Sequence, residues 1–433
     1  MSGRGTGFDR SLARNGALAA GLGLASVYAY GTAKYRRNAK RGFTFEEDPP
    51  VPGSPEFSRL LEVLTGAPVR PGNRVQVLRN GDQTFPAMLE AIRSAQRTVD
   101  LSSYILWPGG ITDAFTEALT ERARAGLDVN VVVDGWGSAK LGRATVDRLE
   151  DAGVRFSFFR PPRWYTVHKL NNRMHRRLLI VDGQIGFAGG VGIADVWTGH
   201  AQDPEHWRET HVRLEGPVVR DVLGGFNGNW AEATKVILGP SHLPELQTFD
   251  DGAEVQVIRS SPGAGGTAVA QMFAAALAGA RERLWITTAY FAPGDAVVDV
   301  LCRAARRGVD VRLLVNGPHI DKEVVRRTGR RRYDVLLESG VRIFEYQQTM
   351  LHAKVLLADG WANVGSSNLE HRSQGLDEEL TVGFTDPAVV AEFEKDFLAD
   401  LDACQEIELD AWRKRPLRDR AAERTGDLLR QSL

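Results

Sequence analysis

The sequence predicts an α/β fold in which one structural unit is used twice. Similar segments recur in the same order in both halves of the 433-residue chain. AGLDVNVVVDG at 125–135 matches RGVDVRLLVNG at 307–317, and VQVLR at 75–79 matches VQVIR at 255–259. Within each half, helix-period segments alternate with β-branched strands. We therefore expect two tandem repeats with mixed, mostly parallel sheets flanked by helices, packed with pseudo-twofold symmetry.

The first element along the chain is an uncharged stretch near the N-terminus. Between Arg14 and Lys34 no residue is charged, and further Lys and Arg residues follow. A helix over this stretch would be about 28 Å long, close to the hydrocarbon thickness of a bilayer. We expect a 1–41 tail with a membrane anchor at about 15–33, and the positive flank predicts a cytoplasmic catalytic region at the cell membrane. A cleaved signal peptide on a secreted protein, or a Gly/Ala-rich tail on a cytoplasmic one, are the alternatives.

The other boundaries follow from composition and from the repeats. A segment rich in Pro and Glu is typical of a linker, and a run of charged residues ends the chain. The predicted divisions are a linker at 42–73 with a short helix around 57–64, a first repeat at 74–235, a connection at 236–252, a second repeat at 253–402 and a charged tail at 403–433. In the first repeat we expect helices at 85–96, 112–125 and 218–230, and strands at 98–105, 128–134 and 155–159.

Composition limits the partners and cofactors. The 54 Lys and Arg residues balance 55 Asp and Glu residues, and the formal net charge of −1 gives no general attraction to nucleic acid. Two cysteines, Cys302 and Cys404, are too few for a disulfide framework or a cysteine zinc site. We expect no cofactor, no metal and no nucleic-acid partner, and the sequence leaves the oligomeric state open.

One short motif occurs in each half, as MHRRLLIVDG at 174–183 and LHAKVLLADG at 351–360. Its functional residues are His175, Arg177 and Asp182 in the first copy and His352, Lys354 and Asp359 in the second. Side chains two apart in an extended segment share a face. The histidine and the cation of each copy are therefore predicted to point into one cavity.

Two such copies, brought together, suit phosphodiester cleavage. One imidazole attacks phosphorus and forms a covalent intermediate, while the other protonates the leaving alkoxide and then activates the incoming hydroxyl. Cations and loop donors hold the non-bridging oxygens, and a carboxylate on each histidine fixes its tautomer. The predicted phosphate-binding side chains are Arg177, Lys354, Ser366 and Asn368. The candidate carboxylates are Asp182, Asp359, Glu209 and Glu379.

At these residues the chain resembles the phospholipase D superfamily, whose two H-x-K-x4-D motifs each lead into a small-residue loop bearing an Asn. HAKVLLAD followed by GSSN at 365–368 fits closely, and the segments at 79–106 and 206–219 resemble the cardiolipin synthase branch. The resemblance covers roughly 74–402. It implies a bilobed fold with the active site at the repeat junction, a phosphohistidine intermediate on His175, and phosphatidyl transfer between membrane phospholipids, with phosphatidylglycerol as the expected substrate. A hydrolytic phospholipase D and a phosphodiester nuclease are the alternatives.

Two residues of the first motif depart from the family pattern. Arg177 stands where the family has Lys, so a planar guanidinium replaces a compact ammonium. Gly192 stands where the first loop would carry the counterpart of Asn368. We expect the backbone of this loop, at Gly190 and Gly192, to bind the phosphate in place of the missing side chain.

Overall fold

A single mixed β-sheet runs through the computed structural model, which describes Ser26 and residues 42–162, 172–262 and 267–416. Its strands are β1 Val69–Arg79, β2 Thr98–Ser103, β3 Asp128–Asp134, β4 Arg155–Phe159, β5 Leu178–Val181, β6 Ile185–Gly189, β7 Thr210–Glu215, β8 Ala253–Ser260, β9 Arg283–Thr287, β10 Asp310–Asn316, β11 Arg342–Tyr346, β12 Val355–Ala358, β13 Trp361–Gly365, β14 Glu379–Phe384 and β15 Cys404–Glu406.

Helices cover the sheet and connect its parallel strands. The α-helices are Pro55–Thr65, Asn80–Ser94, Gly110–Arg124, Arg143–Asp151, Val219–Thr234, Ala268–Gly279, Asp295–Arg306, Glu323–Arg330, Tyr333–Glu338, His371–Gly375, Pro387–Leu401 and Leu409–Arg413. Short 3-10 helices lie at Asp195–Trp197 and Pro240–His242. The predicted helices and strands of the first repeat are present, with ends shifted by a few residues.

The strand order shows the duplication, because equivalent strands occur in the same order in both halves. The first half reads β4-β3-β2-β5-β6-β7-β1, and the second reads β11-β10-β9-β12-β13-β14-β8. Strands β1 and β8 pair antiparallel at the centre, with Arg70 opposite Val255, and so join the halves. The predicted α/β fold of two repeats is confirmed.

The strand pairing corrects one detail of that prediction. Parallel pairs occur only within β2-β3-β4 and within β9-β10-β11. The other ladders of the described sheet are antiparallel, so the expectation of mostly parallel pairing was wrong. The reason is local: β5 and β6, like β12 and β13, are joined by short turns, and a short turn reverses the chain direction.

The junction of the repeats is itself hydrophobic core. One buried cluster includes Leu178 and Phe226 of the first repeat together with Val355, Phe384 and Phe393 of the second. Full burial of such a side chain contributes about 1.5–3 kcal/mol. Shared apolar packing therefore holds the two halves in a fixed relation, which a site built from both of them requires.

The segment predicted as a linker contains a buried helix. Helix 55–65 begins with Ser54, whose side chain accepts the Phe57 N–H, and ends at Gly66 in the left-handed conformation. Phe57 is fully buried, and its ring packs on Trp361 at 5.4 Å between centroids. The short helix expected around 57–64 is therefore present, and it packs into the core of the second repeat.

The predicted charged tail starts as strand β15, which pairs antiparallel with β11 and extends the sheet. The anchor predicted at about 15–33 lies outside the described residues, apart from Ser26. Among the helices of the described part, none combines the length and apolar character needed to cross a bilayer.

Candidate active site

The two motif histidines lie where each repeat meets the other. Both precede a central strand, β5 or β12, in extended segments that form single β-bridges with the opposite repeat. The His175 N–H donates to the Glu378 carbonyl at 2.9 Å, and the His352 N–H donates to the Arg208 carbonyl at 2.7 Å. Each motif is thereby aligned with the residues that immediately precede β14 or β7 of the other half.

This alignment gives each histidine a carboxylate from the other repeat. Nδ1 of His175 lies 2.9 Å from Oε1 of Glu379. Nδ1 of His352 is hydrogen-bonded to Oε2 of Glu209. Both glutamates are fully buried. The geometry agrees with the supporting role predicted for Glu209 and Glu379, and it adds that the pairs cross between repeats.

The contacts of His175 define its tautomer. Nη2 of Arg177 lies 3.1 Å from Nε2 of the ring. A guanidinium can only donate, so Nε2 carries the lone pair and Nδ1 carries the proton that Glu379 accepts. A neutral imidazole in this form has its nucleophilic nitrogen directed away from the carboxylate, beside a fixed positive charge.

His352 has a different set of neighbours. Nζ of Lys354 lies 2.8 Å from Nδ1 of the ring and 3.5 Å from Oε2 of Glu209, and it donates to the His352 carbonyl. One ring nitrogen is therefore in contact with both an amine and a carboxylate. Groups of this kind can exchange a proton with the imidazole, as acid and base catalysis needs.

The motif aspartates lie at the far end of their strands. The Asp182 carboxylate accepts hydrogen bonds of 2.7–2.9 Å from the backbone N–H groups of residues 96–98. Asp359 accepts from residues 281–283 in the same way, at 2.9 Å. Seven extended residues separate each aspartate from its histidine, or roughly 20 Å. The prediction of both as catalytic was wrong: they anchor the turn after β5 and β12 to the start of β2 and β9.

The loop after the second motif supplies one free donor. The Ser366 hydroxyl donates to Glu379, so it orients that carboxylate instead of binding phosphate as predicted. The Asn368 Oδ1 accepts the Tyr290 N–H at 3.4 Å, while its buried Nδ2 has no partner among the described residues. Asn368 therefore keeps the capacity to bind an anionic ligand.

The glycines of the first loop, Gly190 and Gly192, leave room for side chains that pack against the loop. This role replaces the substrate binding that was predicted for them. A side chain at Gly190 would collide with the Glu209 carboxylate, and the Gly190 N–H is already bonded to a carbonyl of β7. A Cβ at Gly192 would lie 2.9 Å from the Trp197 ring. That buried indole packs 5.2 Å from the His352 ring and occupies the place of the missing Asn side chain.

Sequence reasoning missed two polar residues that position the motifs. Oδ2 of Asp134 accepts the Met174 N–H at 2.9 Å, and Oδ1 of Asn316 accepts the Leu351 N–H at 2.7 Å. Each of them therefore fixes the residue that precedes a motif histidine. They end β3 and β10 at equivalent positions, so the alignment of VVVDG with LLVNG contained the signal.

Two tyrosines were missed as well. The Tyr104 ring lies 5.0 Å from the His175 ring, edge to face, and the Arg177 guanidinium lies over it at 5.5 Å. Tyr290 packs against His352 at 6.3 Å. These rings wall the site symmetrically, and the matching segments at the ends of β2 and β9 could have identified them.

Comparison with known proteins identifies the family. The family described as "Cardiolipin synthase, PLD-like domain" matches residues 88–204 and 273–401. The chain belongs to this family. A cardiolipin synthase of Halalkalibacterium halodurans is 34% identical over 376 residues, which cover 86% of this chain and 74% of the relative. Cardiolipin synthase A of Pseudomonas syringae is 34% identical over 351 residues, covering 81% and 73%.

Solved structures agree on the fold. Phosphatidylserine synthase of Haemophilus influenzae superposes with a TM-score of 0.64 at 14% identity, covering 87% of this chain and all of that one. Polyphosphate kinase of Porphyromonas gingivalis gives 0.54 at 13%, covering 90% and 57%. As a member of the cardiolipin synthase family, the chain is an enzyme of the phosphatidyltransferase class.

Burial and charge set the protonation states in this cardiolipin synthase family site. Burial, reinforced by Arg177 and Lys354, holds the pKa of His175 well below its usual value. Burial with the same two cations does so for His352, so both copies of the motif act in one electrostatic field. Burial also lowers the pKa of Lys354 to about 7 and raises that of Glu379 to about 7.

Three groups of the site lie close enough to share a metal ion. They are His175, Asp377 and Glu379, with one ligand atom each within 4.8 Å of the others. Glu379 accepts from His175, and Asp377 accepts from Arg372 at 3.0 Å and from the Arg173 N–H at 3.1 Å. These contacts favour a hydrogen-bonded network over metal ligation.

Proposed function

We propose that this enzyme joins phospholipids by phosphatidyl transfer, as a cardiolipin synthase acting on phosphatidylglycerol at a membrane. The observation that carries the proposal is the pair of buried histidines, each hydrogen-bonded to a glutamate of the other repeat. Two imidazoles in one field of two cations suit the two halves of a transfer reaction at phosphorus.

In the first half, Nε2 of His175 attacks the phosphorus of the donor lipid. A P–N bond forms and the P–O bond to the glycerol headgroup breaks. His352 donates its Nε2 proton to the leaving oxygen while Lys354 passes a proton to Nδ1, which then donates to Glu209, so the ring stays neutral. The Arg177 guanidinium and the free Asn368 amide stabilise the charge on the non-bridging oxygens.

In the second half, a hydroxyl of the acceptor lipid gives its proton to Nε2 of His352, whose Nδ1 proton returns to Lys354, while the hydroxyl oxygen attacks phosphorus. The P–N bond breaks and His175 returns to its starting form with Nδ1 still donating to Glu379. If water took the place of the acceptor hydroxyl, the same machinery would act as a hydrolytic phospholipase D. The balanced charge of the chain, −1 overall, argues against a nuclease.

The test is incubation of the full chain with phosphatidylglycerol vesicles, followed by mass spectrometry of lipids and released glycerol. We expect cardiolipin and glycerol in equal amounts. A His352→Asn variant should lose turnover and accumulate a phosphatidyl adduct on His175, while a variant of the exposed His200, His200→Asn, serves as the matched control. Phosphatidic acid as the sole product would assign a hydrolase, and an adduct on another residue would overturn the assignment of His175.

A further inference from the structure

Two lysines occupy equivalent positions on the loops that follow β3 and β10. Lys140 follows Asp134, the last residue of β3, at the same spacing at which Lys322 follows Asn316, the last residue of β10. Asp134 and Asn316 are the residues that hold the two motifs in place. The duplication therefore includes a cation on the loop that follows each of these strands.

Both ammonium groups rest on aromatic rings. Nζ of Lys140 lies 3.9 Å from the centre of the Trp107 ring, and Nζ of Lys322 lies 4.6 Å from the centre of the Tyr290 ring. Both lysines are exposed, and no carboxylate in the described part of the chain lies within ion-pairing distance of either. A cation that only rests on a ring face is held less firmly than one in a charge-assisted bond to phosphate. Such a group is available to an incoming anion.

Lys322 is coupled to the catalytic centre through one residue. The hydroxyl of Tyr290 donates to Asp321 at 2.9 Å, and the face of its ring contacts the Lys322 ammonium. Tyr290 therefore contacts two consecutive residues of the loop after β10 and holds it in place. The ring of Tyr290 packs against His352. The charge of Lys322 also contributes, after burial and the motif cations, to lowering the pKa of both catalytic histidines. Its ammonium therefore acts close to the reacting groups.

The position of Lys322 differs from that of the motif cations. Arg177 and Lys354 are buried and contact the histidines directly, so they belong to the phosphate that reacts. Lys322 is exposed at the mouth of the site. A phospholipid acceptor brings a second phosphate, separated by its glycerol moiety from the hydroxyl that attacks. Water brings no such group.

We propose that Lys322 binds the phosphate of the acceptor phospholipid and so directs the phosphatidyl group to a lipid hydroxyl. The inference rests on the proposed function. In the step concerned, the acceptor oxygen forms the new P–O bond, the P–N bond to His175 breaks, and the hydroxyl proton passes to His352. Lys322 takes no part in these bonds and orients the acceptor through a charge-assisted hydrogen bond.

Two soluble acceptors isolate the phosphate from the acyl chains. The full chain is incubated with phosphatidylglycerol in detergent micelles and either isotope-labelled glycerol or isotope-labelled glycerol 3-phosphate, and the label transferred into lipid is measured. We expect the parent enzyme to prefer glycerol 3-phosphate by about 10- to 100-fold in kcat/KM, the value of one charge-assisted hydrogen bond. In Lys322→Ala this preference should disappear, and in Lys322→Arg it should persist. Lys395→Ala removes an exposed lysine from helix 387–401 and is the charge-matched control.

Vesicles then test the lipid acceptor itself. With phosphatidylglycerol vesicles, Lys322→Ala should shift the products from cardiolipin toward phosphatidic acid. If Lys322→Ala lost kcat/KM equally with glycerol and with glycerol 3-phosphate, Lys322 would act only through its electrostatic field on the histidines. That result would refute the proposal. An unchanged preference, or an unchanged ratio of the two lipids, would refute it as well. Absence of transfer by the parent enzyme to every acceptor would refute the proposed function, and the acceptor site with it.

Discussion

Replacement of Glu379 by Gln tests whether the carboxylate of one repeat sets the tautomer of the histidine in the other. Oε1 of Glu379 faces Nδ1 of His175 at 2.9 Å, and its other oxygen accepts from Ser366. If the new amide nitrogen faces the ring, it donates to Nδ1 and moves the proton to Nε2. That proton would then point at the Arg177 guanidinium, 3.1 Å away, and the nucleophilic lone pair would be lost.

The size of the effect follows from the same geometry. Changing a carboxylate to an amide beside the histidine of a catalytic triad lowers kcat by about 10⁴-fold. At about 1.36 kcal/mol for each factor of ten, this is roughly 5.4 kcal/mol of activation free energy. Because Ser366 can still accept or donate at position 379, we expect Glu379→Gln to retain its fold and to lose about 10³- to 10⁴-fold in kcat.

The assay is release of glycerol from phosphatidylglycerol in detergent micelles, with thermal unfolding followed in parallel. The matched control is Glu345→Gln, which changes a buried carboxylate that accepts from Arg326 at 3.0 Å and not from a histidine. Activity of Glu379→Gln within about tenfold of the parent, in a folded protein, would refute the claim that this carboxylate orients His175.

Two further predictions concern the motif aspartate and the dependence on pH. Asp359→Asn should lower the free energy of unfolding by about 2–4 kcal/mol, because three backbone donors lose a charged acceptor. Denaturant unfolding measures this loss, and a fall in kcat comparable to that of Glu379→Gln would contradict the structural role. Glu379 acts ionised and Lys354 acts protonated, each with a pKa of about 7, so kcat should rise and then fall with pH around a maximum near 7. Lys354→Arg should extend activity to higher pH, since guanidinium stays charged, and an unshifted alkaline limb would exclude Lys354 as the group that titrates.

Much of the fold could be predicted from the sequence, because the residue patterns that specify its strands and helices are local. The β-branched runs at 98–105 and 128–134 form β2 and β3, and the matching segments form β9 and β10. The share of parallel pairing was overestimated, because alternating helices and strands favour parallel pairing whereas a short turn at 182–184 reverses the chain. Helix 55–65 was missed as core because its partner, Trp361, lies far along the sequence.

From the sequence the histidines, the cations and four candidate carboxylates of the site could be named, but the carboxylates could not be assigned to a histidine. The motif places Asp182 next to His175 in sequence, but an extended strand carries the two about 20 Å apart. Glu379 is 204 residues from His175, and Glu209 is 143 residues from His352. Backbone bridges between the repeats bring these pairs together, and spacing within one motif contains no information about them.

The sequence by itself therefore determined the duplication, the family and the kind of chemistry, because each of these depends on short contiguous motifs or on their repetition. Only the tertiary structure decided which carboxylate serves which histidine, why Gly190 and Gly192 carry no side chain, and where Lys322 stands. These facts depend on atoms that meet across the junction of two repeats, where Glu209 and Trp197 occupy the space that the glycines leave. Packing of the shared core fixes that junction, and with it the catalytic site.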